Sequence, residues 1–223
     1  MLLGVVLLPF SVEGAIVNGG FENTIIDPSS PILESTMDFW AVSPPGTTIV
    51  RGQDTGSSFV PWNLAPKAGF IAASFSSDID ATGAGGSLTQ APRDPGNTPT
   101  NSLKTYNVSM WVANSIQDAA NFNNVFSVSW AGILIPLSGS GINPGVDANT
   151  YIVKPKTDWF QITATVQGTG VPSDLVISAR NNNWATLVDA VIFEETPEPS
   201  TLVMLGAGAV IMGWRRRRQQ RSL

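Results

Sequence analysis

The sequence predicts an all-β fold, and three observations lead to that class. Short runs rich in β-branched and aromatic residues recur along the chain, and Gly, Pro, Asn, Asp and Ser separate them. Several runs alternate apolar and polar residues, whereas hardly any segment has the apolar spacing of a helix. About eight to ten such strands within roughly 180 residues favour a single antiparallel two-sheet sandwich of the jelly-roll type.

The predicted strands differ in the strength of their patterns. The clearest alternation lies at 105–114, and a second clear strand lies at 159–166. A hairpin is predicted at 126–137, with its turn at Ala131-Gly132. Weaker strand signals lie at 15–17, 39–42, 48–50, 69–75, 87–90, 175–179 and 186–193.

Three of the six tryptophans in this body are candidates for an exposed binding surface. Alternation places Trp111 and Trp159 on the polar faces of their strands, and Trp62 lies in a proline-bounded loop. An indole ring offers a flat apolar surface for a sugar ring, so these three are the candidate ligand-binding residues. The alternative is that a loop covers each ring. The tryptophans predicted to lie in the core are Trp40, Trp130 and Trp184.

The composition excludes several kinds of site. The chain contains no cysteine and no histidine, so disulfides, thiolate nucleophiles, imidazole zinc sites and Ser-His-Asp triads are impossible. Residues 15–196 contain seven basic and 15 acidic residues, a net charge of −8. This charge argues against nucleic acid or an anionic membrane surface as a partner.

No catalytic residue is predicted. Glycoside hydrolysis needs two carboxylates about 5 to 10 Å apart across a cleft. Acidic pairs occur at Asp78/Asp80 and Glu194/Glu195, but neither has a sequence context that indicates such a cleft. The sequence therefore favours a protein that is not an enzyme, with a polysaccharide hydrolase as the less favoured alternative.

Residues 1–14 are predicted to be a secretory signal peptide. Residues 1–10 are apolar, and Val12-Glu13-Gly14 precede Ala15 at the candidate cleavage positions. Since no basic residue precedes the apolar run, the true start is expected to lie upstream. Residues 15–194 then form the predicted jelly-roll domain.

The C-terminal residues 195–223 have three parts: a proline-bounded break at Pro197, Glu198 and Pro199, an uncharged apolar run at 202–214, and a basic tail at 215–223. As a helix, the apolar run is about 20 Å long, which is shorter than the ~30 Å hydrocarbon core of a bilayer. It therefore spans only with its flanks or by thinning the bilayer. The positive-inside rule places the basic tail in the cytoplasm, so the body is exported. The arginines that open this tail are Arg215, Arg216, Arg217 and Arg218.

This tail resembles the PEP-CTERM sorting signal of Gram-negative bacteria. The resemblance covers about the last 25 residues and includes Pro197, Glu198, Pro199, the apolar run and the arginines. It implies that a membrane-embedded exosortase recognises the Pro-Glu-Pro segment and cleaves near it. The body, anchored transiently in the inner membrane, then reaches the cell surface or the extracellular matrix. The alternative is a C-terminal membrane anchor that is never cut.

The body resembles galactose-binding-like jelly-roll modules, a group that includes many carbohydrate-binding modules. The resemblance begins at Val17-Asn18-Gly19-Gly20-Phe21-Glu22 and ends at Leu187-Val188-Asp189-Ala190-Val191. It implies a structural calcium ion held between Glu22 and Asp189, since calcium prefers several oxygen ligands. The family usually has Leu-Asp-Asp-Val in the last strand, so Val188 and Ala190 depart from it. The alternative is that both carboxylates are solvated or hydrogen-bonded.

The predicted function follows from the tail and the body together. We expect an exported surface or matrix protein whose sandwich binds extracellular polysaccharide or mediates adhesion. The alternative is a structural matrix component without a specific ligand.

Overall fold

The computed structural model describes residues 16, 19, 21, 39–43, 48–52, 71–75, 86–94, 97–114, 125–154, 156–180 and 186–196. These ranges contain 14 strands and no helix, so none of the described residues belongs to a helix that could cross a membrane. The strands are β1 (Ala41–Ser43), β2 (Thr48–Gly52), β3 (Ile71–Phe75), β4 (Gly86–Gln90), β5 (Arg93–Asp94), β6 (Thr98–Pro99), β7 (Thr105–Asn114), β8 (Val125–Trp130), β9 (Ile133–Leu134), β10 (Ile142–Pro144), β11 (Tyr151–Val153), β12 (Lys156–Gln167), β13 (Leu175–Arg180) and β14 (Thr186–Glu195).

Two antiparallel sheets contain most of these strands. The seven-stranded sheet has the order β1-β4-β13-β8-β11-β10, with β9 beside β8. The five-stranded sheet has the order β12-β7-β14-β3-β2, and β5 and β6 form a small ladder of their own. Successive long strands, such as β7 and β8 or β13 and β14, belong to different sheets, which is typical of a jelly roll. The predicted all-β antiparallel class is confirmed.

The strands with strong alternation lie where the sequence predicts them. Strand β7 spans Thr105–Asn114, the ten predicted residues, and β12 extends the predicted 159–166 at both ends. The hairpin of β8 and β9 turns at Ala131 and Gly132, whose φ angles are 52° and 79°. Positive φ at both positions of a two-residue turn matches the twist of the flanking strands.

The sequence did not predict four strands, β5, β6, β10 and β11. Each has only two or three residues, which is too short to show an alternation. Their pairing comes from neighbouring strands instead: β10 pairs with β11, and β11 pairs with β8 through Tyr151 and Phe126.

The core lies between the two sheets and is held by an aromatic cluster. The ring of Phe193 on β14 lies 5.0 Å from that of Trp130 on β8 and 5.1 Å from that of Tyr106 on β7. The indole Nε1 of Trp130 donates a hydrogen bond of 2.8 Å to the carbonyl oxygen of Gln167 on β12. Trp130 therefore fills the core from one sheet while its polar atom is satisfied by the other.

The predicted core tryptophans Trp40 and Trp130 are buried, at 3% and 5% exposure, and are confirmed. Several other predictions lie outside the described residues. These are the signal peptide 1–14, most of the strand at 15–17, Glu22, Trp62, Trp184, the Pro-Glu-Pro segment, the apolar helix 202–214 and the arginines 215–218.

Candidate functional site

The two described candidate tryptophans lie on adjacent strands of the five-stranded sheet. Strand β7 contributes Trp111, and the residue directly opposite it on β12 is Gln161. Trp159 lies two positions before Gln161, within the register shift between Lys156 and Phe160. Because the next residue, Phe160, stands opposite the inward-facing Val112, we expect Trp159 to face outward with Gln161. We call this surface the tryptophan face: Asn107, Ser109 and Trp111 of β7 with Trp159, Gln161, Thr163 and Thr165 of β12.

The tryptophan face combines indole rings with amides and hydroxyls. Trp111 and Trp159 are half-buried, whereas Gln161, Thr163 and Thr165 are exposed. Cross-strand pairs put Thr163 opposite Ser109 and Thr165 opposite Asn107. The face therefore presents a row of neutral hydrogen-bonding groups beside two partly exposed aromatic side chains.

Strand β14 borders this face on the other side of β7 and determines how far it is open. Ile192 lies opposite Ser109 and is 42% exposed, and Glu194 lies opposite Asn107 and is exposed. Asp189 lies opposite Trp111 and is completely buried. The tryptophan face is therefore accessible to solvent beside Ser109 and Asn107, and it ends at the buried Asp189 opposite Trp111.

The buried carboxylate of Asp189 lies at an irregularity of β14. The register shifts between Asp189 and Ile192, and Ala190 has a φ of 48°. The amide of Ala190 donates a hydrogen bond of 2.6 Å to Asp189 Oδ1, and the amide of Val191 donates one of 2.9 Å to the carbonyl of Gly19. A Cβ at Gly19 would lie 1.9 Å from the Val191 carbonyl oxygen, so this contact requires glycine.

The surroundings of Asp189 bear on the calcium prediction. The opening segment contacts the last strand at Val191, two residues after a fully buried carboxylate, and carboxylate and carbonyl oxygens are the ligands that calcium prefers. Glu22 lies outside the described residues, and those that are described contain no group of three acidic side chains suited to a metal. Asp189 and backbone carbonyls are the oxygen donors that the described part of the chain offers.

A shallow groove crosses the outer face of the seven-stranded sheet. Ser87, Ser178 and Ser127 lie side by side on β4, β13 and β8, and they line a cavity of about 270 Å³ with Arg180 at its edge. We call it the serine groove. No motif in the sequence distinguishes these serines, which occupy the less buried positions of strands whose burial alternates.

A separate polar cluster holds the loop before β7. The hydroxyl of Tyr106 donates to the carboxylate of Asp94, at 2.9 and 2.8 Å from its two oxygens, and accepts a 2.9 Å hydrogen bond from the amide of Asn101. Burial and the hydrogen bond to Asp94 raise the pKa of Tyr106 to about 12. The cluster pins the β5–β6 ladder to the core.

The acidic pair Glu194/Glu195 does not form a two-carboxylate site. Adjacent residues of a strand point to opposite faces, and the Glu195 carboxylate lies 2.6 Å from the ammonium of Lys104. The other pair, Asp78/Asp80, lies outside the described residues.

Comparison with known proteins assigns the C-terminal segment. Residues 195–218 match the family model described as the PEP-CTERM protein-sorting motif. The chain carries a PEP-CTERM signal. This signal implies an exported protein that an exosortase processes and that is anchored transiently at the membrane. No curated protein matches the chain.

Solved structures resemble the body of this PEP-CTERM protein in fold. A Stig cyclase, Fisc from Fischerella sp. TAU, matches with a TM-score of 0.54 at 12% identity, over 82% of this chain and 96% of the cyclase. TmCBM61, solved with beta-1,4-galactotriose, matches with a TM-score of 0.48 at 14% identity, over 82% and 99% of the two chains. The CBM22-1 xylan-binding domain of Paenibacillus barcinonensis Xyn10C matches with a TM-score of 0.41 at 13% identity, over 74% and 91%. A fold shared with a cyclase at 12% identity assigns neither a reaction nor a ligand.

The Tyr106 cluster predicts a loss of stability at alkaline pH. Because the folded state holds the phenolic proton more tightly than the unfolded chain, its contribution is complete below about pH 10 and is lost as the pH rises towards 12. Thermal melts followed by tryptophan fluorescence should show a steeper fall over this window in the wild type than in Tyr106→Phe. Tyr151→Phe, which removes the only other tyrosine, is the matched control. It loses the 2.8 Å hydrogen bond that the Leu137 amide donates to the Tyr151 hydroxyl and so melts lower, but its melting temperature should fall with pH as steeply as that of the wild type. An equal fall in the wild type and Tyr106→Phe would contradict the prediction.

Proposed function

We propose that this protein is a surface or matrix component whose sandwich binds a neutral extracellular polysaccharide on the tryptophan face. The observation that carries the proposal is the pairing of β7 with β12, in which Gln161 stands directly opposite Trp111 and Trp159 lies two residues before Gln161. Neighbouring cross-strand positions are about 5 to 8 Å apart, so the two indoles fall within the reach of one short stretch of glycan.

The chemistry of this face suits a sugar chain. Aromatic faces bind the C–H surfaces of sugar rings, and amides and hydroxyls bond the sugar hydroxyls. Ser109, Thr163 and Gln161 supply such groups beside the rings, and the carboxylate of Glu194 lies at the open border. The net charge of −8 on residues 15–196 disfavours a polyanionic glycan, so the ligand class is neutral polysaccharide.

The serine groove is the weaker place for the same ligand. Its volume of about 270 Å³ is below the usual range for ligand pockets, about 300 to 1,000 Å³. Its lining contains three serines and Arg180 but no aromatic side chain. A groove without an aromatic surface offers hydroxyl contacts and little apolar area to a sugar.

The first prediction of this proposal concerns Trp111 and Trp159. Replacing either with alanine should weaken polysaccharide binding about 30-fold, the loss expected for a central aromatic contact of about 2 kcal/mol. Binding is measured by titrating purified protein with neutral β-linked glucans, xylans and galactans, with alginate as the anionic comparison. Thermal melts establish that each variant is folded.

A variant of the groove separates the two surfaces. Ser178→Leu fills the serine groove and should bind the polysaccharide as the wild type does. Loss of binding in Ser178→Leu with unchanged binding in the tryptophan variants would transfer the site to the groove. A folded wild type that binds none of the polysaccharides would favour the structural matrix role.

Processing is expected to depend on the segment just beyond the fold. Replacing Pro197, Glu198 and Pro199 with alanines should leave the full-length chain in the membrane fraction, as shown by immunoblotting of fractionated cells. Ser200→Ala with Thr201→Ala is the neighbouring control and should be processed normally. Release of the triple variant at the wild-type mass would refute recognition of the Pro-Glu-Pro segment.

Neutral replacements of the four arginines at 215–218 should alter the membrane topology of the chain, because the cytoplasmic charge is lost. Protease protection measures that topology.

We also propose that the sandwich holds a structural calcium ion. Asp189 and neighbouring backbone carbonyls would hold it, together with Glu22, and the ion would supply a positive charge that fastens the opening segment to β14. Calcium at 100 times its dissociation constant should stabilise the fold by about 2.7 kcal/mol.

The expected readout is a rise in melting temperature with calcium that chelator reverses. Asp189→Asn should abolish the rise, whereas Asp174→Asn, at an exposed carboxylate, should retain it. A wild type whose melting temperature ignores calcium would show that hydrogen bonds alone balance the buried Asp189.

A further inference from the structure

The C-terminal connection leaves the sandwich at one end, which we call the exit end. Strand β14 finishes at Glu195, whose carboxylate forms the ion pair of 2.6 Å with Lys104. The amide of the next residue, Thr196, donates a hydrogen bond of 2.8 Å to the carbonyl of Thr105 at the start of β7. The chain is therefore bound to the fold up to the residue that precedes the Pro-Glu-Pro segment.

Three loops join this connection at the exit end. The amide of Gly168 donates to the carbonyl of Lys104 at 2.9 Å, and the amide of Gly170 donates to that of Thr100 at 2.7 Å. The turn between β8 and β9 lies at the same end, because the amide of Ala131 donates a hydrogen bond of 3.0 Å to the carbonyl of Asp174. These bonds bring 100–104, 131–133 and 168–174 to the end of the sandwich at which Thr196 leaves it.

This surface exposes large aliphatic side chains. Leu103 is 88% exposed, Ile133 is 71% exposed and Val171 is 58% exposed. We call these three residues the aliphatic rim. Single exposed apolar residues are ordinary on protein surfaces, but a group of them beside a defined attachment point indicates an interaction site.

The short distance between the exit end and the membrane anchor limits which partners the aliphatic rim can contact. Only residues 197–201 separate Thr196 from the apolar run that begins at Leu202. Five extended residues span at most about 18 Å, so an anchored chain keeps the exit end near the bilayer surface. A short tether keeps the rim at a high effective concentration near the lipid surface, so that even a weak contact between the rim and the lipid is populated. Because residues 15–196 have a net charge of −8, anionic lipid headgroups would repel the body, and the contact must be apolar.

We propose that the aliphatic rim inserts into the bilayer interface while the sorting signal anchors the chain. This proposal rests on the membrane anchoring that the PEP-CTERM signal implies, and not on the glycan site. The partner is the zwitterionic lipid surface around the apolar run. Docking holds the Pro-Glu-Pro segment at the membrane, and cleavage beyond Thr196 removes the tether and releases the weakly bound rim.

The absence of cysteine permits a direct test with single labelled residues. The full chain carrying Leu103→Cys is labelled with an environment-sensitive dye and reconstituted into phosphatidylcholine vesicles that contain nitroxide-labelled lipid. Flotation first establishes that the chain is anchored. The matched control is Ser43→Cys, an exposed position at the end of β1, beside Ser87 near the start of β4 and thus at the opposite end of the sandwich.

The expected result is lipid quenching of the dye at Leu103 and none at Ser43. A dye at Ser102→Cys then measures docking in the presence of Leu103→Ser and Val171→Ser, and these changes should weaken membrane contact about tenfold, because buried apolar area is lost. An anchored chain whose Leu103 dye is unquenched overturns the docking alone. A chain that does not float overturns the anchoring and the docking with it. If the emission of the dye shifts only when exosortase is added, and lipid quenching is absent, the rim binds a protein and the proposal is overturned.

Discussion

The pairing of β7 with β12 on one side and β14 on the other is the constraint on which the other features depend. The pairs of β7 with β12 fix which residues stand opposite Trp111, and the pairs with β14 fix where Asp189 and Phe193 lie. Because side chains alternate, a slip of one residue would turn Trp111 into the core and Val112 to the outside. The aromatic cluster of Trp130, Tyr106 and Phe193 opposes such a slip, since it fills the space between the sheets.

The two faces of this central strand have separate roles. Its inner residues pack against the seven-stranded sheet, and its outer residues build the tryptophan face. Its first residue, Thr105, binds the chain at Thr196, so the same strand positions the beginning of the sorting signal. The proposed glycan site on the side of the sandwich and the proposed membrane contact at its end therefore do not compete for surface.

Charge and composition give the molecule a consistent chemical character. Without histidine or cysteine it has no imidazole or thiol chemistry, and the described acidic residues near the end of β14 do not form a cleft pair. Its acidic surface suits an extracellular module and disfavours polyanions. Tyr106 acts in holding a loop, and its raised pKa reflects burial and its bond to Asp94.

Sequence by itself determined the β class, the strands with strong alternation and the sorting signal, because each depends on local patterns or a contiguous motif. Thr105–Asn114 and the two-residue turn at Ala131-Gly132 are such cases, and the buried Trp40 and Trp130 also followed from it. Tertiary structure alone decided the short strands β10 and β11, the serine groove and the closing of the face at Asp189. These features arise from contacts between residues far apart in the chain. Alternation says that two tryptophans leave the core, but only the register between β7 and β12 sets Gln161 opposite Trp111 and brings the two strands side by side.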